Sequence, residues 1–273
     1  MPNTLRILFI YGVLFINGGC GGSTSDKSQG EEQENTVSIV QPVASENLAI
    51  PDNSLVDHYK VLLIGNSHVV SNNLSEIIKQ LINTGKPQTS VTVDRASGGA
   101  YLDDRVNDGV TLEKIQSDSW THTILQAQKY SQSGSVEYPT HAAENWIEIL
   151  KKQNTTPILF PEHPQRGNPV EAQYVHDLHL SIIEKQKSCL APIGLAWDKA
   201  IAEMPSLTLH APDGNHAAYA GSFLTALIFY QVITGELADS LPFMEQIPLS
   251  ENIQRELRII ASQILDENQA CDY

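Results

Sequence analysis

The chain has 273 residues, 17 Lys and Arg against 32 Asp and Glu, and 41% hydrophobic residues. That excludes a fibrous or wholly disordered protein and allows one large domain or two small ones. A formal charge of -15 repels phosphate backbones, and no Lys/Arg stripe with interleaved aromatics runs along the chain, which argues against nucleic acid as a partner.

The first residues carry one positive charge at Arg6, then an apolar run over 7–16, then Asn17-Gly18-Gly19-Cys20-Gly21-Gly22. The run is too short to span a bilayer and has the form of an export signal. Small residues before a Cys resemble the lipobox of bacterial lipoproteins, in which the Cys is lipidated and becomes the mature N-terminus. Asn17 departs from it, standing where an aliphatic residue is usual. The expectation is a signal over residues 1–20 and an exported protein held at a membrane only through lipidated Cys20, with simple secretion as the alternative. Residues 21–56 are rich in Ser, Gln, Glu and Asn, without a sustained period of 3.6 or 2.0, and read as a flexible acidic linker. An ordered strand over 37–43 is the competing reading. An exported compartment permits a disulfide between Cys189 and Cys271, which the sequence alone does not decide.

The folded domain is expected over 57–273. Residues 60–64 (KVLLI) form a nearly continuous apolar run, as in a central parallel strand buried on both faces. Residues 74–82 repeat apolar side chains at helical spacing, with Asn72 or Asn73 as N-cap. Further strands are expected over 91–95, 122–126, 157–160 and 190–193, separated by helices near 139–153 and 170–187. This alternation argues for one α/β domain with a parallel sheet, helices on both faces and a site at the carboxyl ends of the strands. The apolar stretch 217–234 is read as a helix packed on the sheet, because Tyr219, Ser222, Thr225, Tyr230 and Gln231 interrupt it.

Strand 60–64 runs into Gly65-Asn66-Ser67-His68. A Ser at that place can project into a cleft beside backbone N–H groups that stabilise an oxyanion, or can merely cap the turn. A G-x-S-x-G elbow is absent, since Val69 occupies its last position. Near the C-terminus stands Asp213-Gly214-Asn215-His216. That spacing lets the carboxylate accept from one imidazole nitrogen while the other faces a hydroxyl.

Gly65-Asn66-Ser67-His68 after an apolar strand, together with Asp213-x-x-His216 before an apolar helix, resembles blocks I and V of the SGNH hydrolases, the GDSL-like esterases. Asn66 replaces the usual Asp of the GDS signature and Ala217 the frequent Pro after the His. The resemblance implies a three-layer α/β/α sandwich with a central, mostly parallel five-stranded sheet, flavodoxin-like in order. It implies Ser67 as nucleophile, His216 as base and Asp213 as its orienting acid. It also implies an oxyanion hole from the Ser67 N–H, the Gly99 N–H (Gly98 competing) and an amide side chain. The last is expected from Gln128 in place of the family's Asn, with Gln126 as the alternative.

His163 and Asn66 are the expected substrate contacts. His176, His179 and His210 are not read as metal ligands, because zinc sites need three or four convergent groups. No cofactor is required. Trp120, Trp146 and Trp197 are assigned to packing rather than to a sugar platform. The expected activity is hydrolysis of small acyl esters, acetyl first, on carbohydrate. Transfer of the acyl group to a second sugar, and a non-catalytic glycan-binding lipoprotein on the same fold, are the alternatives. The oligomeric state is not legible.

Overall fold

The structure, a computed structural model, describes residues 47–273. The expected export signal, Cys20 and the 37–43 segment lie outside the described residues. Five strands form one parallel sheet: β1 (His58–Ile64), β2 (Ser90–Arg95), β3 (His122–Gln126), β4 (Thr156–Phe160) and β5 (Cys189–Leu190), in the order β2-β1-β3-β4-β5. The three central strands are those whose sequences are continuously apolar, because both of their faces are covered.

Alternation along each central strand divides the core in two. Val61 and Leu63 of β1, Ile124 of β3 and Ile158 of β4 face one layer, while Leu62, Ile64, Leu125 and Leu159 face the other. The first layer holds α2 (Leu74–Gly85), α6 (Ile193–Glu203), α7 (Tyr219–Thr234) and α8 (Glu251–Glu267). The second holds α3 (Val110–Gln116), α4 (His141–Lys152) and α5 (Glu171–Lys185), with Trp146 and Ile147 against the sheet. Each such buried Leu or Ile contributes about 1.5–3 kcal/mol. Helix α7 is buried except at Tyr219 and Gln231, which makes it the central helix of its layer. Among the described residues no helix is long and apolar enough to cross a membrane.

Four expectations change. The ordered domain starts before residue 57: Ile50 is in the core, Asn53 Nδ2 donates to Thr121 O and Thr156 Oγ1, and Lys151 Nζ donates to Leu48 O. β5 ends at Leu190 rather than 193, because Ala191-Pro192 turns the chain and Ile193 opens α6. α3, α6 and α8 had no counterpart in the sequence reading. Asn73 does hold the N-cap position of α2, but without a side-chain cap bond; both it and Asn72 take left-handed backbone, and Asn72 spends its amide elsewhere. Cys189 and Cys271 form a disulfide across 82 residues, and beside it Leu190 N–H donates to Ala270 O at 2.7 Å.

Candidate active site

β1 and β3 lie side by side at the centre of the sheet, so the loops at their carboxyl ends meet. Ser67 opens a one-turn helix, α1 (Ser67–Val70), capped by Asn66, whose Oδ1 accepts the His68 N–H at 3.1 Å. Two buried side chains fix this turn. Gln126, at the end of β3, accepts the Asn66 N–H on Oε1 at 2.7 Å and donates from Nε2 to Glu162. Arg105 is 2% exposed and donates to Gly65 O at 2.8 Å and Gly98 O at 2.6 Å from one nitrogen, and to Ser97 O and Thr111 Oγ1 from the other. The Ser67 loop and the glycine loop after β2 are thus bound to one guanidinium. Gly65 has no room for a side chain, since a Cβ there would overlap Gln126 Oε1.

The turn before α7 carries Asp213 and His216. Asp213 Oδ1 accepts the N–H groups of Asn215 (2.9 Å) and His216 (3.0 Å), and Gly214 completes the turn with φ +75°. Asp213 Oδ2 lies 2.6 Å from His216 Nδ1, and His216 Nε2 lies 2.8 Å from Ser67 Oγ. The His216 hydrogen bond, then the two backbone N–H bonds, hold the Asp213 carboxyl well below the ordinary range. An ionised Asp213 accepts the His216 Nδ1–H and keeps the proton on that nitrogen, which leaves Nε2 free to accept from the Ser67 hydroxyl. The turn is anchored to the nucleophile side by Asn72, whose Nδ2 donates to Ala217 O at 2.8 Å and Ser222 Oγ at 2.9 Å.

Beneath the triad is a neutral aromatic layer. The His68 ring stacks on His216 at 5.1 Å, and His163 stacks on Trp197 at 3.8 Å. Burial foremost, and then His216, lowers the His68 pKa to about 4; burial and then His68 lower that of His163 to about 3. The neutral His163 donates from Nε2 to Asn215 O at 2.9 Å, directly before His216. Burial also raises the Glu162 pKa to about 7 against the opposing pull of Gln126.

A cleft of about 780 Å³ opens over Ser67, lined by Asn66, His68, Tyr101, Lys129, Tyr130 and Glu162 among others. Asn66 lines this cleft. Gly99 is beside Ser67: a Cβ on it would meet the Asn66 backbone at 3.7 Å and Ser67 N at 4.0 Å. Gly98 supplies the left-handed residue (φ +71°) that brings Gly99 there.

Two site expectations are corrected. Gln128 donates from Nε2 to Lys129 O at 2.9 Å and Pro139 O at 3.2 Å; both hydrogens are used on loop carbonyls, so it has none for an oxyanion. Its competitor Gln126 is likewise committed, to Asn66 and Glu162. His163 is 4% exposed between Trp197 and Asn215; it braces the turn that carries His216 and does not line the cleft. Trp120, Trp146 and Trp197 are all buried. The sequence reading missed Arg105, Asn72 and Glu162. Glu162 had a usable signal, a carboxylate immediately after an apolar strand. Asn72 had none, because its partners are about 150 residues away, and Arg105 had none, because its bond to Gly65 O spans 40 residues and its nearer partners are loop carbonyls and one Thr hydroxyl with no sequence pattern.

No protein-family model and no curated protein matches the sequence. Solved structures do match the fold. A DUF4886 family protein from Bacteroides uniformis aligns with TM-score 0.60 at 13% identity, covering 79% of this chain and 98% of its own. A protein from Slackia heliotrinireducens described as an SGNH hydrolase aligns with TM-score 0.53 at 20% identity, covering 64% and 98%. A catalytic mutant of an acetylxylan esterase from Geobacillus stearothermophilus aligns with TM-score 0.52 at 13% identity, covering 70% and 98%. The five-stranded parallel sheet between two helical layers is therefore the fold of the SGNH hydrolases.

Proposed function

We propose that the chain is a serine esterase that hydrolyses small acyl esters, acetyl above all, on carbohydrate. The observation that carries this is the unbroken line from Asp213 Oδ2 through His216 to Ser67 Oγ, at 2.6 Å and 2.8 Å, on the floor of an open cleft. Ser67 Oγ forms a bond to the acyl carbon as its proton passes to His216 Nε2. The C–O bond to the alcohol then breaks as His216 returns that proton to the departing oxygen. Water repeats the sequence on the acyl-enzyme. The Ser67 and Gly99 N–H groups receive the oxyanion. With Gln128 withdrawn the hole rests on backbone donors, and loss of one donor typically costs about 100- to 1000-fold in rate.

The substrate class is supported by the polar cleft walls and by the acetylxylan esterase among the proteins of similar fold. The test is hydrolysis of 4-nitrophenyl acetate and butyrate by residues 47–273, beside Ser67→Ala and His216→Ala. Faster release from acetate, lost in both variants, is expected; equal activity in all three proteins would refute the triad. The withdrawn Gln128 favours a second reading, a glycan-binding protein without catalysis. Failure of a fluorophosphonate to label Ser67 would favour that alternative. We also propose that Cys20 is lipidated and tethers the exported domain, which incorporation of labelled palmitate, abolished by Cys20→Ala, would test.

A further inference from the structure

The cleft over Ser67 continues into a second one, of about 700 Å³, with Lys129, Tyr130 and Tyr138 lining both. The second cleft runs between the loop before α4 and the outer face of α5, where Tyr174, Asp177 and Leu178 line it. Together they offer far more room than an acetyl group fills. We propose that this second cleft is a subsite for further sugar units of a neutral polysaccharide ester, so that the substrate is a polymer rather than a single acylated sugar; the inference rests on the esterase reading above.

Three features select that occupant. Tyr101, Tyr138 and Tyr174 are 43%, 40% and 37% exposed along the double cleft, and such rings accept the C–H face of a sugar. The Tyr130 and Tyr174 ring centroids are 6.4 Å apart with planes at 60°, a wall beside which a chain can turn. Aliphatic lining of the second cleft is confined to Leu178 and Pro139, while Glu137, Glu144, Asp177 and Lys185 surround them. Burying those charges under an acyl chain is costly, whereas sugar hydroxyls satisfy them. Both lysines are already paired, Lys129 with Asp103 and Asp104, Lys185 with Glu144, so an anionic sugar gains no cation.

The junction is also rigidly referenced to the triad. Tyr130 Oη donates to Glu171 Oε1 at 2.9 Å, Glu171 Oε2 accepts the Gln165 N–H at 2.6 Å, and Gln165 Nε2 donates to Asn215 Oδ1 at 3.0 Å, one residue from His216. Glu171 is 2% exposed, so this chain of bonds is shielded from water. A sugar resting on Tyr130 is thereby held at a fixed distance from the base.

The experiment compares acetylated xylo- and manno-oligosaccharides from the monosaccharide to the hexasaccharide. For the wild type kcat/KM is expected to rise about tenfold with length, through KM, and Tyr174→Ala to remove most of that rise. A value independent of length overturns the proposal. Calorimetric binding of the same acetylated hexasaccharides to Ser67→Ala gives a readout free of catalysis, expected to weaken about tenfold when Tyr174→Ala is added. No binding, or tighter binding of an oligogalacturonate, also overturns it. Hydrolysis of 4-nitrophenyl acetate separates the two readings: its absence with hexasaccharide binding intact removes the esterase reading and leaves the glycan cleft.

Discussion

Gln126 Oε1 accepts the Asn66 N–H at 2.7 Å across 60 residues of sequence, so the end of β3 holds the backbone of the nucleophile turn on β1. The same amide donates to Glu162 beyond β4, and one buried side chain thereby sets the spacing of three strand ends. Gln126→Leu removes the acceptor of the Asn66 N–H and one donor to the Glu162 carboxyl. It is expected to lower stability by about 1–3 kcal/mol and kcat on 4-nitrophenyl acetate by about 10- to 100-fold, through misplacement of Ser67. Gln128→Ala, by contrast, should leave kcat within about threefold, because it removes no transition-state contact. Parallel denaturation and steady-state kinetics check both; a large kcat loss in Gln128→Ala would return it to the oxyanion hole.

Arg105 joins Gly65 O and Gly98 O through one guanidinium nitrogen. A Lys ammonium keeps the charge but lacks the planar fork. Arg105→Lys should fold with stability lowered by about 1–3 kcal/mol and lose about 10- to 100-fold in kcat as Gly99 and Ser67 drift apart, with KM little changed. Unaltered kcat in a folded Arg105→Lys protein would show that the two loops hold their places unaided.

Burial holds the pKa of His68 and His179 down to about 4 and that of His122 and His163 down to about 3. Below pH 6.5 the unfolded chain binds protons that the folded one refuses, so stability present above 6.5 is lost as pH falls. Each histidine contributes a slope of about 1.4 kcal/mol per pH unit. Glu162 acts in the other direction: its folded pKa of about 7 lies above the unfolded value of 4.5, so its contribution is lost as pH rises from 4.5 through 7. Four groups outweigh one. Urea midpoints should fall steeply from pH 6.5 to 4, and His163→Phe, which keeps the ring on Trp197, should reduce that slope by one proton. A flat profile would mean that these rings are protonated in the folded protein.

The Cys189–Cys271 disulfide closes a loop of 82 residues. Replacing both by Ser is expected to lower stability by about 2–4 kcal/mol and to leave kcat unchanged at 25 °C, since neither residue lines the cleft. Thermal melts and assays on the same preparation decide it; a matching loss of kcat would tie the bond to the site.

The parts of the molecule legible in the sequence were those encoded locally. β1, β3 and β4 announce themselves because burial on both faces demands uninterrupted apolar residues, and β3 was located to the residue. Ser67 and the Asp213 to His216 turn were legible because strand end and helix start are adjacent in sequence. α8 was missed although Ser250 caps it and Leu257, Ile260 and Ile264 follow at helical spacing. The segment around Ile50 and Asn53 reads as linker because the partners of Asn53, Thr121 and Thr156, are 68 and 103 residues away. Gln126 and Gln128 looked interchangeable: same amide, two residues apart. Only the register of β3 beside β1 and β4 decides which one meets Asn66.

The way the sheet ends at β5 bears on how molecules of this protein meet one another. A bare strand edge is a template on which a second chain can add its own strand. β5 is only two residues long, and the Leu190 N–H is already taken by Ala270 O in the segment stapled by Cys271. The opposite edge, β2, is longer but carries Asp94 and Arg95 at its exposed end. Both edges are thus poor templates for edge-to-edge growth, and at β5 the cover over Leu190 is tied to the sheet by the same disulfide that joins Cys189 to Cys271.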